Sequence, residues 1–281
     1  MIIWLASYPK SGNTWIRSFI SALLYTDDGQ NDFSNLKKIR QFPARSQFKD
    51  FVQDLQNPEQ VYRNWTTVQN FLNLDKKIKF LKTHHLKCKI GGYNFTSKKN
   101  TLATIYIVRD PRNLVNSISN HYSKTLEEAK EFLLTPKYLF GFKKDTGSKT
   151  NNIKTILGTW SEHYKFWKTN NENFLLIKYE NLLNNINSEL EKIVLFLRKY
   201  IDFDINNEKL KNIVQTTNFH HLKKGEQKGL FNENVFARSS NQKINFFYQG
   251  PENDWKSKLE DKIVDEINLK FKSEMIELGY L

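Results

Sequence analysis

The chain has 281 residues, 39% of them hydrophobic and 14% aromatic, which argues against disorder over most of its length and supplies enough apolar material for a sizeable core. Its 43 Lys and Arg against 30 Asp and Glu leave a formal charge of +13, a field that draws anionic ligands, nucleic acid or acidic membrane surfaces, although a Lys/Asn-biased composition accounts for much of the excess. Cys88 is the single cysteine, which excludes an intrachain disulfide and a cysteine-rich zinc site, and the opening MIIWLASYPK is too short in apolar residues for a signal peptide or a membrane span. A cytoplasmic setting is expected.

Ile2 to Ala6 is a short apolar run closed by the polar turn SYPKSGN and predicts a buried strand. From Thr14, the apolar positions Trp15, Ile16, Phe19, Ile20, Leu23 and Leu24 recur at three- and four-residue steps and predict an amphipathic helix. Residues 26 to 77 are polar with scattered aromatics, and predict irregular structure with short helices. Phe80 to Thr83 and Ala103 to Val108 predict strands, the second closing on Arg109-Asp110-Pro111, with a helix from Asn113. Residues 123 to 150 lack a sustained period and read as a mobile loop or lid. A helix of about four turns is expected over Ile153 to Trp167, then a strand over Phe174 to Ile177, then a helix opened by a capping box at Ser188-Glu189-Leu190-Glu191. Strands alternating with helices, with no linker or repeat, predict a single α/β domain over 1–281 built on a central parallel sheet with helices on both faces.

The first unit of that pattern is an anion site by its local geometry. A helix start turns unpaired N–H groups toward a ligand, and the turn Tyr8-Pro9-Lys10-Ser11-Gly12-Asn13-Thr14 adds a lysine charge. The ATP/GTP pattern G-x-x-x-x-G-K-[ST] fails twice, because Ser7 stands where the first Gly belongs and Lys10 precedes Gly12. YPKSGNTW instead resembles the 5′-phosphosulfate loop signature YPKSGTTW of the sulfotransferases that use 3′-phosphoadenosine 5′-phosphosulfate (PAPS), with Asn13 replacing one Thr. The fold implied by that resemblance is P-loop-like.

Further stretches carry the same resemblance. IYIVRDPRNLVNSISNHY is similar to the family's 3′-phosphate motif and maps Arg109 and Ser117 onto its Arg and Ser; a guanidinium fork suits a terminal phosphate. On residues alone, Arg109 also reads as a surface partner of Asp110. FLKTHH resembles the family's Lys-x-His, which implies Lys82 near the transferring group and His84 as the base that takes the acceptor proton; the adjoining His85 would face the other way. Tyr179, Thr217, Phe219 and Trp15 match residues around the adenine, although core packing explains each equally well. The last motif departs from the family: Arg-Lys-Gly before Gly-Asp-Trp-Lys is here Tyr248-Gln249-Gly250 before Asn253-Asp254-Trp255-Lys256, leaving Gly250 and two absent charges, for which Arg238, Lys243 or Lys223 are candidates.

The resemblance thus implies sulfuryl transfer from PAPS, releasing adenosine 3′,5′-bisphosphate, to a small-molecule, sugar or lipid-headgroup acceptor. Lys10, Ser11, Gly12, Asn13, Thr14, Trp15, Arg109, Ser117, Tyr179, Thr217, Phe219 and Gly250 would bind the donor, and Lys10, Lys82 and His84 would serve the chemistry. No metal, nucleic-acid partner or transmembrane segment is expected. A P-loop small-molecule kinase and a basic nucleic-acid-binding module are the competing readings.

Overall fold

All six residues of Ile2–Ser7 are buried, as a strand covered on both faces requires, and they open the chain as β1. The structure is a computed structural model that describes residues 1–136, 138–139, 153–169, 171–231, 233, 235–236 and 243–281. After β1 come α1 (Asn13–Tyr25), β2 (Arg40–Gln41), β3 (Lys79–Thr83), β4 (Thr101–Val108), α2 (Pro111–Tyr122), α3 (Leu126–Leu134), α4 (Trp160–Lys168), β5 (Phe174–Lys178), α5 (Ile186–Leu197), α6 (Asn207–Thr217) and α7 (Phe219–Gln227). Residues 26 to 77 hold the expected short helices, Arg45–Phe48, Pro58–Arg63 and Trp65–Leu72.

The five strands make one central parallel sheet flanked by helices, as the sequence predicts; their order is β2-β3-β1-β4-β5, with β2 falling inside the stretch read as irregular. β3 runs parallel to both neighbours, with Ile2 opposite Lys79, Ala6 opposite Thr83 and Arg40 opposite Leu81. Two compact units interleave along the chain. The first comprises Met1–Tyr8, Ile39–Tyr106 and Thr135–Leu176. Its aromatic core centres on Trp4, whose ring lies 5.5 Å from Phe42 and from Phe95 and 5.9 Å from Trp167, while its indole N–H donates to the Thr101 hydroxyl. Truncating such a buried aromatic costs about 3–5 kcal/mol. The second unit comprises Pro9–Lys38, Ile107–Leu134 and Ile177–Leu281, where α1 packs on α6 and α2 on α3.

Three expectations are corrected, each by a helix cap. Ile153 to Trp167 is not one helix: Thr155–Ile156 pairs as a short strand with Tyr138–Leu139, and α4 starts only at Trp160. There the Thr159 hydroxyl accepts from Glu162 N at 3.2 Å while the Glu162 carboxylate accepts from Thr159 N at 2.8 Å. The stretch read as a loop from 123 contains α3, opened by the same device between Thr125 and Glu128; residues 137 and 140–150 of the expected lid lie outside the described residues. Helix α5 begins two residues before Ser188, capped by Asn185, whose side chain accepts from Ser188 N. Among the described residues no helix is long and apolar enough to cross a membrane.

Candidate active site

β1 ends at Ser7 and α1 begins at Asn13, so the turn between them delivers the start of a helix next to a lysine. Gly12 caps α1 at φ 102°, and a Cβ there would stand 2.7 Å from the ring of Tyr179, so both the backbone and the neighbour demand glycine. The first turn of α1 carries no acidic residue to compete for its N–H groups. Ser11 is fully buried, and its hydroxyl has no hydrogen-bond partner among the described residues, the condition of a group built to meet a ligand oxygen. The Lys10 ammonium lies 3.8 Å over the Phe246 ring and within 3.4 Å of the Phe246 carbonyl and of His121 Nδ1.

Arg109 leaves the end of β4 and comes to the same place. Its Nη1 donates to the Lys10 carbonyl and to Ser117 Oγ, each at 3.2 Å, and its guanidinium carbon stacks 4.1 Å over the Tyr179 ring. Asp110 pairs with Arg112 at 2.7 Å, caps α2 by accepting from Arg112 N, and so is not the partner that a surface reading of Arg109 requires. Trp15 meets Tyr179 edge-on at 5.6 Å. Burial pushes the Tyr179 phenol above its ordinary range, against the opposing pull of the Arg109 charge. Lys10, Gly12, Trp15, Arg109, Ser117 and Tyr179 are therefore one contact cluster within the second unit.

Phe219 and Gly250 form a second pair. Gly250 has φ 56°, and a Cβ there would lie 2.4 Å from the Phe219 ring. The Thr217 hydroxyl is committed to the Ile213 carbonyl of its own helix at 2.7 Å. Of the candidate replacements for the missing charges, Lys223 donates to the Tyr248 carbonyl at 3.1 Å, Lys243 is exposed, and Arg238 lies outside the described residues. Two residues were not singled out from sequence. Asn253 donates to Ser117 Oγ at 3.3 Å and to the Asn113 carbonyl at 2.7 Å, and its Oδ1 is buried without a hydrogen-bond partner among the described residues. Glu226, 2% exposed, accepts from the amides of Phe246 and Phe247 at 2.6 and 2.9 Å, and so sets the ring that covers Lys10.

The first unit carries His84, His85 and His163. His84 stands one residue beyond β3, half-buried, with Nδ1 2.8 Å from the Ser7 carbonyl. A carbonyl only accepts, so Nδ1 carries the proton and the Nε2 lone pair is the basic one. His85 is wholly buried, stacks 4.4 Å from Phe95 and donates from Nδ1 to the Leu86 carbonyl; burial lowers its pKa to about 4. Lys82 lies on β3 opposite Leu5 and Gln41, and is half-buried. His163 of α4, also absent from the sequence reading, is buried against the His84 carbonyl.

The sequence model of the sulfotransferase domain matches residues 2–279. The chain belongs to the sulfotransferase family. The chain is 25% identical over 259 residues to Sulfotransferase 2B1 of Mus musculus, spanning 91% of this chain and 65% of that protein. It is 28% identical over 225 residues to Sulfotransferase 2B1 of Homo sapiens, spanning 79% of this chain and 52% of that protein. These matches therefore cover less than two thirds of either relative's length. Among solved structures, the mouse sulfotransferase SULT7A1 complexed with PAP shares the fold at a TM-score of 0.59 and 22% identity, covering 98% of this chain and 84% of that one.

Proposed function

We propose that this sulfotransferase moves a sulfuryl group from PAPS to a hydroxyl or amine of a small-molecule acceptor, in a cytoplasmic setting and as a single domain over 1–281. The observation that carries the reading is Arg109, whose Nη1 bonds both the Lys10 carbonyl and Ser117 Oγ, so that the two phosphate motifs are joined by one guanidinium. The buried Ser11 hydroxyl and the buried Asn253 Oδ1, both unmatched within the described residues, fit a donor that brings its own polar atoms.

In the reaction the acceptor oxygen or nitrogen bonds to sulfur as the bond from sulfur to the 5′-phosphate oxygen breaks; the acceptor proton goes to a base and the leaving oxygen keeps its electron pair. On this reading Lys10 and the amides of Gly12, Asn13 and Thr14 stabilise the charge growing on that oxygen, as positioned donors do in related phosphoryl transfers. Arg109 and Ser117 hold the 3′-phosphate, Trp15, Tyr179, Phe219 and Gly250 shape the adenosine site, and Thr217 supports it from within its helix. Lys82 steadies the transferring group, and His84 takes the proton on Nε2. A sugar or a lipid headgroup is among the acceptors that this chemistry serves.

A thermal-shift series tests the reading against the kinase and nucleic-acid alternatives. Adenosine 3′,5′-bisphosphate should raise the melting temperature with the logarithm of its concentration once that exceeds Kd, and ATP with Mg²⁺ or an oligonucleotide should do so far less. A larger rise with either of the latter would overturn it.

A further inference from the structure

We propose that His163, oriented by Tyr106, is a positioning residue that fixes His84 for proton removal; the inference rests on the reading of His84 as the base. His84 is the first residue past the end of β3. Helix α4 supplies donors to the backbone there. His163 Nε2 lies 3.2 Å from the His84 carbonyl, and four residues on, Trp167 Nε1 donates to the His85 carbonyl at 2.9 Å. Two donors on one face of a helix thus grip two consecutive carbonyls, and the Leu86 amide continues the hold by donating to Ile156 at 2.8 Å.

The protonation pattern follows from which atoms can donate. The His84 carbonyl only accepts, so His163 carries its proton on Nε2 and offers Nδ1 as an acceptor. Tyr106 OH is 2.8 Å from that Nδ1 and donates to it. Burial keeps both groups in the required state: it lowers the His163 pKa to about 3 and raises the Tyr106 phenol well above its usual range. Tyr106 therefore selects the His163 tautomer, and His163 in turn fixes the backbone from which the His84 ring reaches the Ser7 carbonyl. Proton removal needs that last bond, because it reserves Nε2 for the acceptor. The groups that face His163 are Tyr8 edge-on at 5.7 Å, Tyr106, and the neighbouring His84 and His85.

Long-range ¹H–¹⁵N spectra of the full chain with labelled histidines, assigned with His84→Gln and His163→Gln, read these tautomers directly. His163 should be uncharged at pH 5 and protonated on Nε2, and His84 protonated on Nδ1 at pH 7. Tyr106→Phe and His163→Leu should shift the His84 signals toward a mixture of tautomers, while His163→Gln, whose amide can still donate near the Nε2 position, should largely restore them. His84 signals unchanged in folded Tyr106→Phe, or a His163 protonated on Nδ1, would overturn the assignment. PAPS turnover with 4-nitrophenol as probe acceptor separates the underlying reading: full activity of His84→Gln would remove His84 as the base and leave the tautomer coupling standing.

Discussion

Arg109 donates from Nη1 to the carbonyl oxygen of Lys10 across 3.2 Å. The same guanidinium bonds Ser117 and stacks on Tyr179, so three anchors meet in one planar group that lysine cannot reproduce. Arg109→Lys should weaken adenosine 3′,5′-bisphosphate by about ten- to a hundredfold, the range for a charged hydrogen-bonding group, with Ser117→Ala costing less. Titration calorimetry checks it; wild-type affinity in Arg109→Lys would detach Arg109 from the donor.

Gly250 tests the proposed adenosine end of the site. Alanine at φ 56° would place its Cβ 2.4 Å from the Phe219 ring, so the ring or the backbone must move. Gly250→Ala should cost about 1–3 kcal/mol in urea denaturation and reduce bisphosphate affinity through the displaced ring. A stable variant with unchanged affinity would show that Phe219 does not shape that site.

His84 and His85 should separate cleanly by phenotype. His84→Gln is expected to remove at least about a hundredfold of turnover while bisphosphate affinity stays near wild type, since general-base help is worth that much. His85→Leu should instead lower stability and leave the kcat of the surviving folded protein within a few-fold. Reversed phenotypes would exchange the two assignments.

Acid sensitivity follows from the buried imidazoles. His85 and His163 titrate at about 4 and about 3 in the fold against 6.5 in an unfolded chain. The unfolded state therefore binds protons that the folded state refuses. Their stabilising effect is complete above pH 6.5 and is lost progressively as pH falls toward those lower values. Below pH 6 each site leaves the unfolded chain holding close to one more proton than the fold, so stability should fall by about 2 kcal/mol between pH 6 and 5. Urea midpoints at pH 7, 6 and 5 measure it; His85→Leu should halve the slope, and equal midpoints at pH 6 and 5 would contradict it.

The strand–loop–helix opening and the strand ending in Arg109 were legible because each is written in contiguous residues: an apolar run, a turn, a period; the order of the sheet, and β2 within it, were not, because strands pair with partners remote along the chain. The turn from Tyr8 to Asn13 was legible as a strand-to-helix junction for the same reason. Helix limits were misread at Ile153, where apolar spacing outweighed a cap, at Thr125, where no sustained period was found, and at Asn185, where a capping box was placed three residues too late, although Thr159-x-x-Glu162 and Thr125-x-x-Glu128 stood in the sequence as signals. His163, Glu226 and Asn253 escaped because their partners are remote along the chain: His163 meets His84 and Asn253 meets Ser117 only after folding. A lone buried histidine or carboxylate carries no local pattern that announces such a contact.

Glu226 shows how far such a remote contact can reach. Its carboxylate never touches Lys10, yet by pinning two successive amides it decides where the Phe246 ring and carbonyl lie, and those are what the ammonium rests against. A single charge loss at position 226 would therefore surface as an altered appetite of the phosphate loop for anions, a defect whose origin no inspection of the loop itself would disclose.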